Sequence, residues 1–186
     1  MNSFLDSSTK LFKYYKSLGD KSFDQVSDEQ LFSSKNENSN SISIIVKHLH
    51  GNMMSRWTNF LTEDGEKKWR DRDGEFQDTI KTRKELLQKW EEGWATLFHA
   101  IEPLQATQLE DLIYIRKMGH TITEAIQRQL GHYAYHVGQI VCIAKFYNDL
   151  DEWQSLSIPK GKSEEFNKIK FDLEQSKKHF TDDFLK

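Results

Sequence analysis

The chain is short of the residues that break helices and of those that cross-link them. Its 186 residues include only two prolines and nine glycines, which disfavours many short strands joined by tight turns and favours long helices. The single cysteine, Cys142, excludes an internal disulfide and fits a reducing compartment; it is expected as a small buried hydrophobe. No apolar run approaches the roughly 20 residues of a membrane-spanning helix. The first residues, MNSFLDSSTKLFKYY, lack the basic start and uninterrupted apolar core of a secretory signal. Charge of one sign is missing too. A net charge of −3 and a pI near 6.2 give none of the basic footprint of a nucleic-acid binder. A cytoplasmic protein that engages neither nucleic acid nor membrane is the expectation.

What is present is a globular composition, 37% hydrophobic and 12% aromatic, long enough for one domain over 1–186 with a substantial core. A first helix is predicted from Ser3 to Leu18, with Phe4, Leu5, Phe12 and Tyr15 on its apolar side. Residues 19–40 read as irregular, closed by the polar stretch SSKNENSNS. The run 41–61 then places Ile42, Ile45, Leu49, Met53 and Phe60 near one helical face, with Ser41 or Ser43 to cap it. A charged stretch, 62–76, follows; Trp69 and Phe76 argue that it is ordered. The third helix covers Ile80 to Ile101 with Leu86, Leu87, Trp90, Trp94, Leu97 and Phe98 inward, and Pro103 stops it. IYIRKMGH, 113–120, reads as a connector. Thr121, with Glu124 three residues on, has the form of a capping box opening the fourth and longest helix, to about Tyr147. A tail turns at Pro159 and Gly161 and closes with a short amphipathic helix from about Glu164. Four long helices imply an all-α four-helix bundle.

On the fourth helix, Ile126, Leu130, Tyr133, Val137, Ile140 and Ala144 form the core stripe. Beside it runs a second line of Gln129, His132, His136 and Gln139. Residues i and i+4 lie about 40° apart around a helix, with Cβ atoms about 6 Å apart. Both imidazoles therefore project the same way, at a spacing that lets two ring nitrogens meet one metal ion. Two satisfied core histidines would have the same spacing. Gly131 and Gly138 are expected to admit a close neighbouring helix. His48, at the edge of the second helix's apolar stripe, is the third candidate. His50 falls about 200° away and faces elsewhere, while Asn52 and Arg56 lie below His48 on nearly its side. Three buried imidazoles without a common ligand would leave several polar nitrogens to satisfy. Around a first-row divalent ion they would leave at least one open position.

The stretches HYAYHVGQIV and KHLHGN resemble the DinB/YfiT-like superfamily of metal-binding four-helix bundles. GNMMSRWTNFLTEDGEKKWRDRD and SLSIPKGKSEEFN further resemble one bacterial branch of it, catalogued as a domain of unknown function. The likeness runs from about residue 40 to 167, and its specific part is H-x-x-x-H-x-G-Q-I. It implies a DinB-like bundle with a long crossover between the second and third helices and a C-terminal tail. It also implies a metal triad of His48, His132 and His136 around a zinc, nickel or similar divalent ion, and a homodimer. Several members of the superfamily are S-transferases using low-molecular-weight thiols such as bacillithiol or mycothiol; others are described as metal-dependent hydrolases or stress proteins.

The implied chemistry is metal-dependent transfer of a small thiol to an electrophile, the ion holding the sulfur as thiolate. Arg56, with Asn52 beside it, would bind the cofactor, the guanidinium pairing with a carboxylate of the thiol. Arg70, Arg72 and Lys160 lie on loops able to reach the mouth. A hydrolase would use the same ligands to activate water. A non-catalytic, metal-stabilised protein would need a fourth donor, for which Gln129, Gln139 and Asn52 are available. Gln129 and Tyr135 are candidates to orient the rings. His99 and His120 read as surface or capping residues, and His179 has no visible partner.

Overall fold

The computed structural model of the chain describes residues 3–148 and 152–185. Its helices are α1 (Ser3–Phe23), α2 (Asp28–Phe32), α3 (Ile42–Trp57), α4 (Arg83–Ile101), α5 (Ile122–Phe146) and α6 (Ser163–Phe171). One antiparallel ribbon, β1 (Leu112–Ile115) with β2 (Met118–Thr121), precedes α5. The fold is all-α. The long helix α3 packs along α4 and α1 along α5, while α3 also meets α5 and α1 meets α4, so the four close into a bundle. No helix among the described residues is long and apolar enough to cross a membrane.

The helix starts follow the sequence closely. Ser41 Oγ accepts the Ile44 amide at 3.2 Å, and Thr82 caps α4 through Glu85. Thr121 and Glu124 make the reciprocal capping box of α5, each such cap contributing about 1 kcal/mol. Aromatic rings fill the centre. Phe12, Trp90, Trp94 and Tyr133 are all buried, with Trp94 edge-on to both Trp90 and Tyr133 at 5.4 and 5.7 Å between centroids.

Several boundaries differ from expectation, each for a local reason. Helix α1 runs on to Phe23, which is buried against Trp90; Gly19 makes room for the Trp90 ring, where a Cβ would collide. Within 19–40 lies α2, opened by a capping box of Ser27 and Gln30. Helix α3 ends at Trp57, because Thr58 is extended and Asn59 takes φ of 48°, so Phe60 reaches the core from a turn. Ile80 is buried ahead of the cap at Thr82, not inside α4. Leu87 is a surface residue.

The expected connector at 113–120 is instead the ribbon. Its two-residue turn uses left-handed Arg116 and Lys117, φ 55° and 62°, without the glycine or asparagine such turns favour. What holds the turn is distant: Asp64 accepts the amides of Arg116 and Lys117 at 2.8 and 2.7 Å. Two expectations for α5 fail. Open space surrounds Gly131 and Gly138, and Cys142 is exposed, because this side of α5 faces away from the other helices.

Candidate metal centre

The second turn of α3 and the middle of α5 face each other on one side of the bundle, and three histidines meet there. One ring nitrogen from each of His48, His132 and His136 lies within 4.8 Å of the other two. Nε2 of His48 is 3.3 Å from Nε2 of His132. That is long for an N–H···N hydrogen bond. It matches the edge of about 3.3–3.4 Å between two imidazole nitrogens bound tetrahedrally to one zinc-sized ion. Ring centroids stand 5.4, 4.8 and 4.7 Å apart around the triangle, each pair steeply inclined, so the rings present edges and not faces to the centre.

Two of the rings are oriented from behind. Nδ1 of His48 donates to Glu75 Oε2 at 2.9 Å, and Nδ1 of His136 donates to Gln139 Oε1 at 2.8 Å. Each of these bonds places the proton on Nδ1 and leaves the Nε2 lone pair toward the centre. His132 is held neutral: burial first, then the neighbouring His136 and His48 and the cations Arg56 and Arg70, push its pKa down to about 3. Burial likewise lowers His136, against the pull of Gln139 and alongside the effect of His48. Three edge-on imidazoles are the donor set a borderline divalent ion selects, and the residues fit one.

Glu75 was not foreseen, because it sits in the crossover between α3 and α4, 27 residues from His48. Burial works to raise its pKa, but the bonds from His48 and Arg70 win and hold it below the usual carboxylate range. Arg70 grips both of its oxygens, at 2.7 and 2.9 Å. Gly51, one turn along from His48, supplies the room: a Cβ there would strike the carboxylate. Phe76, next in the crossover, stacks on the His48 ring at 4.8 Å. Of the expected orienting groups, Tyr135 is exposed, although its ring touches His136. Gln129 is buried, with its Oε1 unpartnered.

The triad opens onto a cavity of about 320 Å³, lined also by Asn52, Arg56, Arg70, Arg72, Phe76, Arg116, Arg128 and Gln129. Lys160 lies outside it. Asn52 forms part of the floor, its Oδ1 accepting from Tyr133, whose hydroxyl in turn accepts from Trp57 Nε1 at 2.9 Å. Arg56 is already engaged, donating to Gly65 O and to Glu66 Oε2 at 2.9 Å. His50 faces the other way, toward Glu92 at 3.0 Å, as the helix phasing requires. His179 does have a partner, Ser7 Oγ at 3.0 Å.

An all-α bundle whose helices bring three imidazole nitrogens to one solvent-open cavity defines the class: a helical protein with a candidate metal centre. The chain matches, over residues 1–162, the model of the family described as Protein of unknown function (DUF1572), and it belongs to that family. Neither a curated protein nor a solved structure matches it.

Proposed function

We propose that His48, His132 and His136 hold one divalent ion, zinc or nickel, and that the chain is a metal-dependent S-transferase of a low-molecular-weight thiol, bacillithiol-type, within the wider DinB/YfiT-like superfamily. The reading takes the protein to be a cytoplasmic homodimer. One observation carries it: three imidazole nitrogens converge on a cavity open to small molecules, two of them aimed by Glu75 and Gln139. An ion bound there would supply Lewis acidity, holding an incoming thiol as thiolate near neutral pH. The chain's own groups do the remainder. Glu75 keeps the His48 proton on Nδ1, Gln139 does the same for His136, and Phe76 shields one face of the His48 ring. Asn52, fixed by Tyr133, limits how deep a ligand can enter, and the arginine side of the cavity is the entrance.

A hydrolase would use the same donors, with water in place of the thiol. A structural metal site would need a fourth protein donor. Asn52 and Gln139 are engaged elsewhere, so only the unpartnered Gln129 Oε1 favours that reading. Elemental analysis of untagged protein tests the centre: about one ion per chain is expected, with sharp loss in His48→Ala, His132→Ala and His136→Ala. Equal metal content in all four proteins would overturn it. Consumption of an electrophile only when bacillithiol is added supports the transferase. Turnover of an ester or amide without thiol identifies the hydrolase instead.

A further inference from the structure

The cavity in front of the imidazoles is far more basic than the chain that contains it. The chain carries a net charge of −3, yet Arg56, Arg70, Arg72, Arg116 and Arg128 all line this one space. Two glutamates answer them. Glu66 Oε2 is shared among Arg56, Arg70 and Arg116 at 2.9, 3.3 and 3.3 Å, and Glu75 is committed to Arg70 and His48. Arg72 and Arg128 have no carboxylate partner among the described residues. Arg72 rides over the Phe76 ring at 5.8 Å, and Arg128 Nη1 is 3.0 Å from His120 Nε2. On the inner wall two buried polar atoms are also without a partner, Nε of Arg56 and Oε1 of Gln129, in residues 6% and 3% exposed.

Guanidinium groups crowded in one cleft repel one another, and an anion between them removes that cost. Their planar forks match carboxylate and phosphate oxygens in pairs, and an uncompensated basic cleft concentrates small anions from solution. We propose that the cavity is an oxyanion-binding site. It takes a small ligand bearing a carboxylate or phosphate group, held by Arg72, Arg116 and Arg128, with the Gln129 amide bonding a polar group deeper in. The inference deepens the metal-centre reading and rests on it for the group that the ligand's other end meets. It also moves the anion contact from Arg56, buried and held by both Glu66 and the Gly65 carbonyl, to the rim, where Arg116 is exposed and keeps only the longer 3.3 Å contact with Glu66. Asp64 contributes indirectly, since its bonds to the Arg116 and Lys117 amides fix the turn from which Arg116 reaches in.

Isothermal titration calorimetry of the full chain at low ionic strength, with succinate and with inorganic phosphate as probes, tests this on metal-loaded and chelator-treated protein. The expected result is saturable binding in both forms, weakened about tenfold or more by Arg128→Gln and by Arg72→Gln and falling as salt is added. Both side chains are exposed, so neither substitution disturbs the core. Lys84→Gln, an exposed residue outside the cavity, should change nothing. Tighter succinate binding identifies a carboxylate ligand, and tighter phosphate binding a phosphorylated one. The proposal is overturned if chelator-treated protein binds neither probe, or if binding ignores both arginine substitutions. Binding that needs the ion and ignores the arginines would mean that the anion ligates the metal alone, leaving the metal reading intact. Arginine-dependent binding by a chain that takes up no divalent ion when one is supplied would sink the metal reading and leave this one standing.

Discussion

Two of the segments outside the helical bundle are held in different ways. The crossover from α3 to α4, residues 58–82, is tied by polar bonds. Ser55 Oγ donates to Gly65 O and receives the Lys67 amide, and Lys47 Nζ donates to the carbonyls of Gly74 and Gln77 at 2.6 and 3.0 Å. The Gly65 amide reaches Tyr114 O across the ribbon. Gly65, Lys67 and Glu75 are buried, while Trp69 is 60% exposed. Of the two aromatic residues that suggested order in this stretch, Trp69 is therefore not what orders it, while Phe76 packs on His48. The C-terminal segment, 152–185, is the reverse case. Phe171 is 84% exposed, and Ile169, Leu173 and Phe180 are exposed too. Anchorage comes from a few points, among them His179 on Ser7, Lys21 on the Phe184 carbonyl, Gln154 on Gln25, Trp153 against the core, and buried Thr181. The family match ends at residue 162, one residue before α6 begins. A network of directional bonds fixes atoms to a fraction of an ångström, which an orienting carboxylate requires; loosely packed apolar contacts do not.

The largest test of that contrast is Glu75→Ala. It leaves Arg70, with a side chain 2% exposed, without its main counter-charge, and breaking a buried pair in this way costs about 3–5 kcal/mol. Urea unfolding should show that loss, and the affinity for a divalent ion should drop about 10–100-fold as His48 loses its orienting partner. A cost no greater than that of a surface substitution would put the crossover on the same footing as the tail. Asp64→Ala should act less strongly, by about 1 kcal/mol, through the freed Arg116 and Lys117 amides. Hydrogen exchange would see those two amides speed up while the tail stays as it was. Smallest is His179→Ala, expected below about 1 kcal/mol. It should hasten proteolytic cleavage of the segment beyond α5 and leave metal stoichiometry unchanged; lost metal would mean that the tail supports the site after all.

The helices were legible because their signals are local. Ser41 and the Thr121–Glu124 box mark starts within four residues of what they cap, and the 3.6-residue period separates His48 from His50 and joins His132 to His136. The ribbon was hidden because its turn depends on Asp64, more than fifty residues away, and not on a glycine. Glu75 was hidden for the same reason: a loop carboxylate has no period, and only the folded crossover carries it to His48. Cys142 and the two open glycines of α5 misled because composition says a residue is small or apolar without saying which side of a helix has a neighbour.

Arg70, Arg72, Glu75 and Phe76 fall within seven consecutive positions and touch the triad or line its cavity, whereas the imidazoles themselves ride on rigid rods. Part of what surrounds the imidazoles is thus carried on a short loop, separate from the helices that hold the rings. Exchanging that short stretch between relatives would change what a ligand meets beside the rings without moving the helices that carry them.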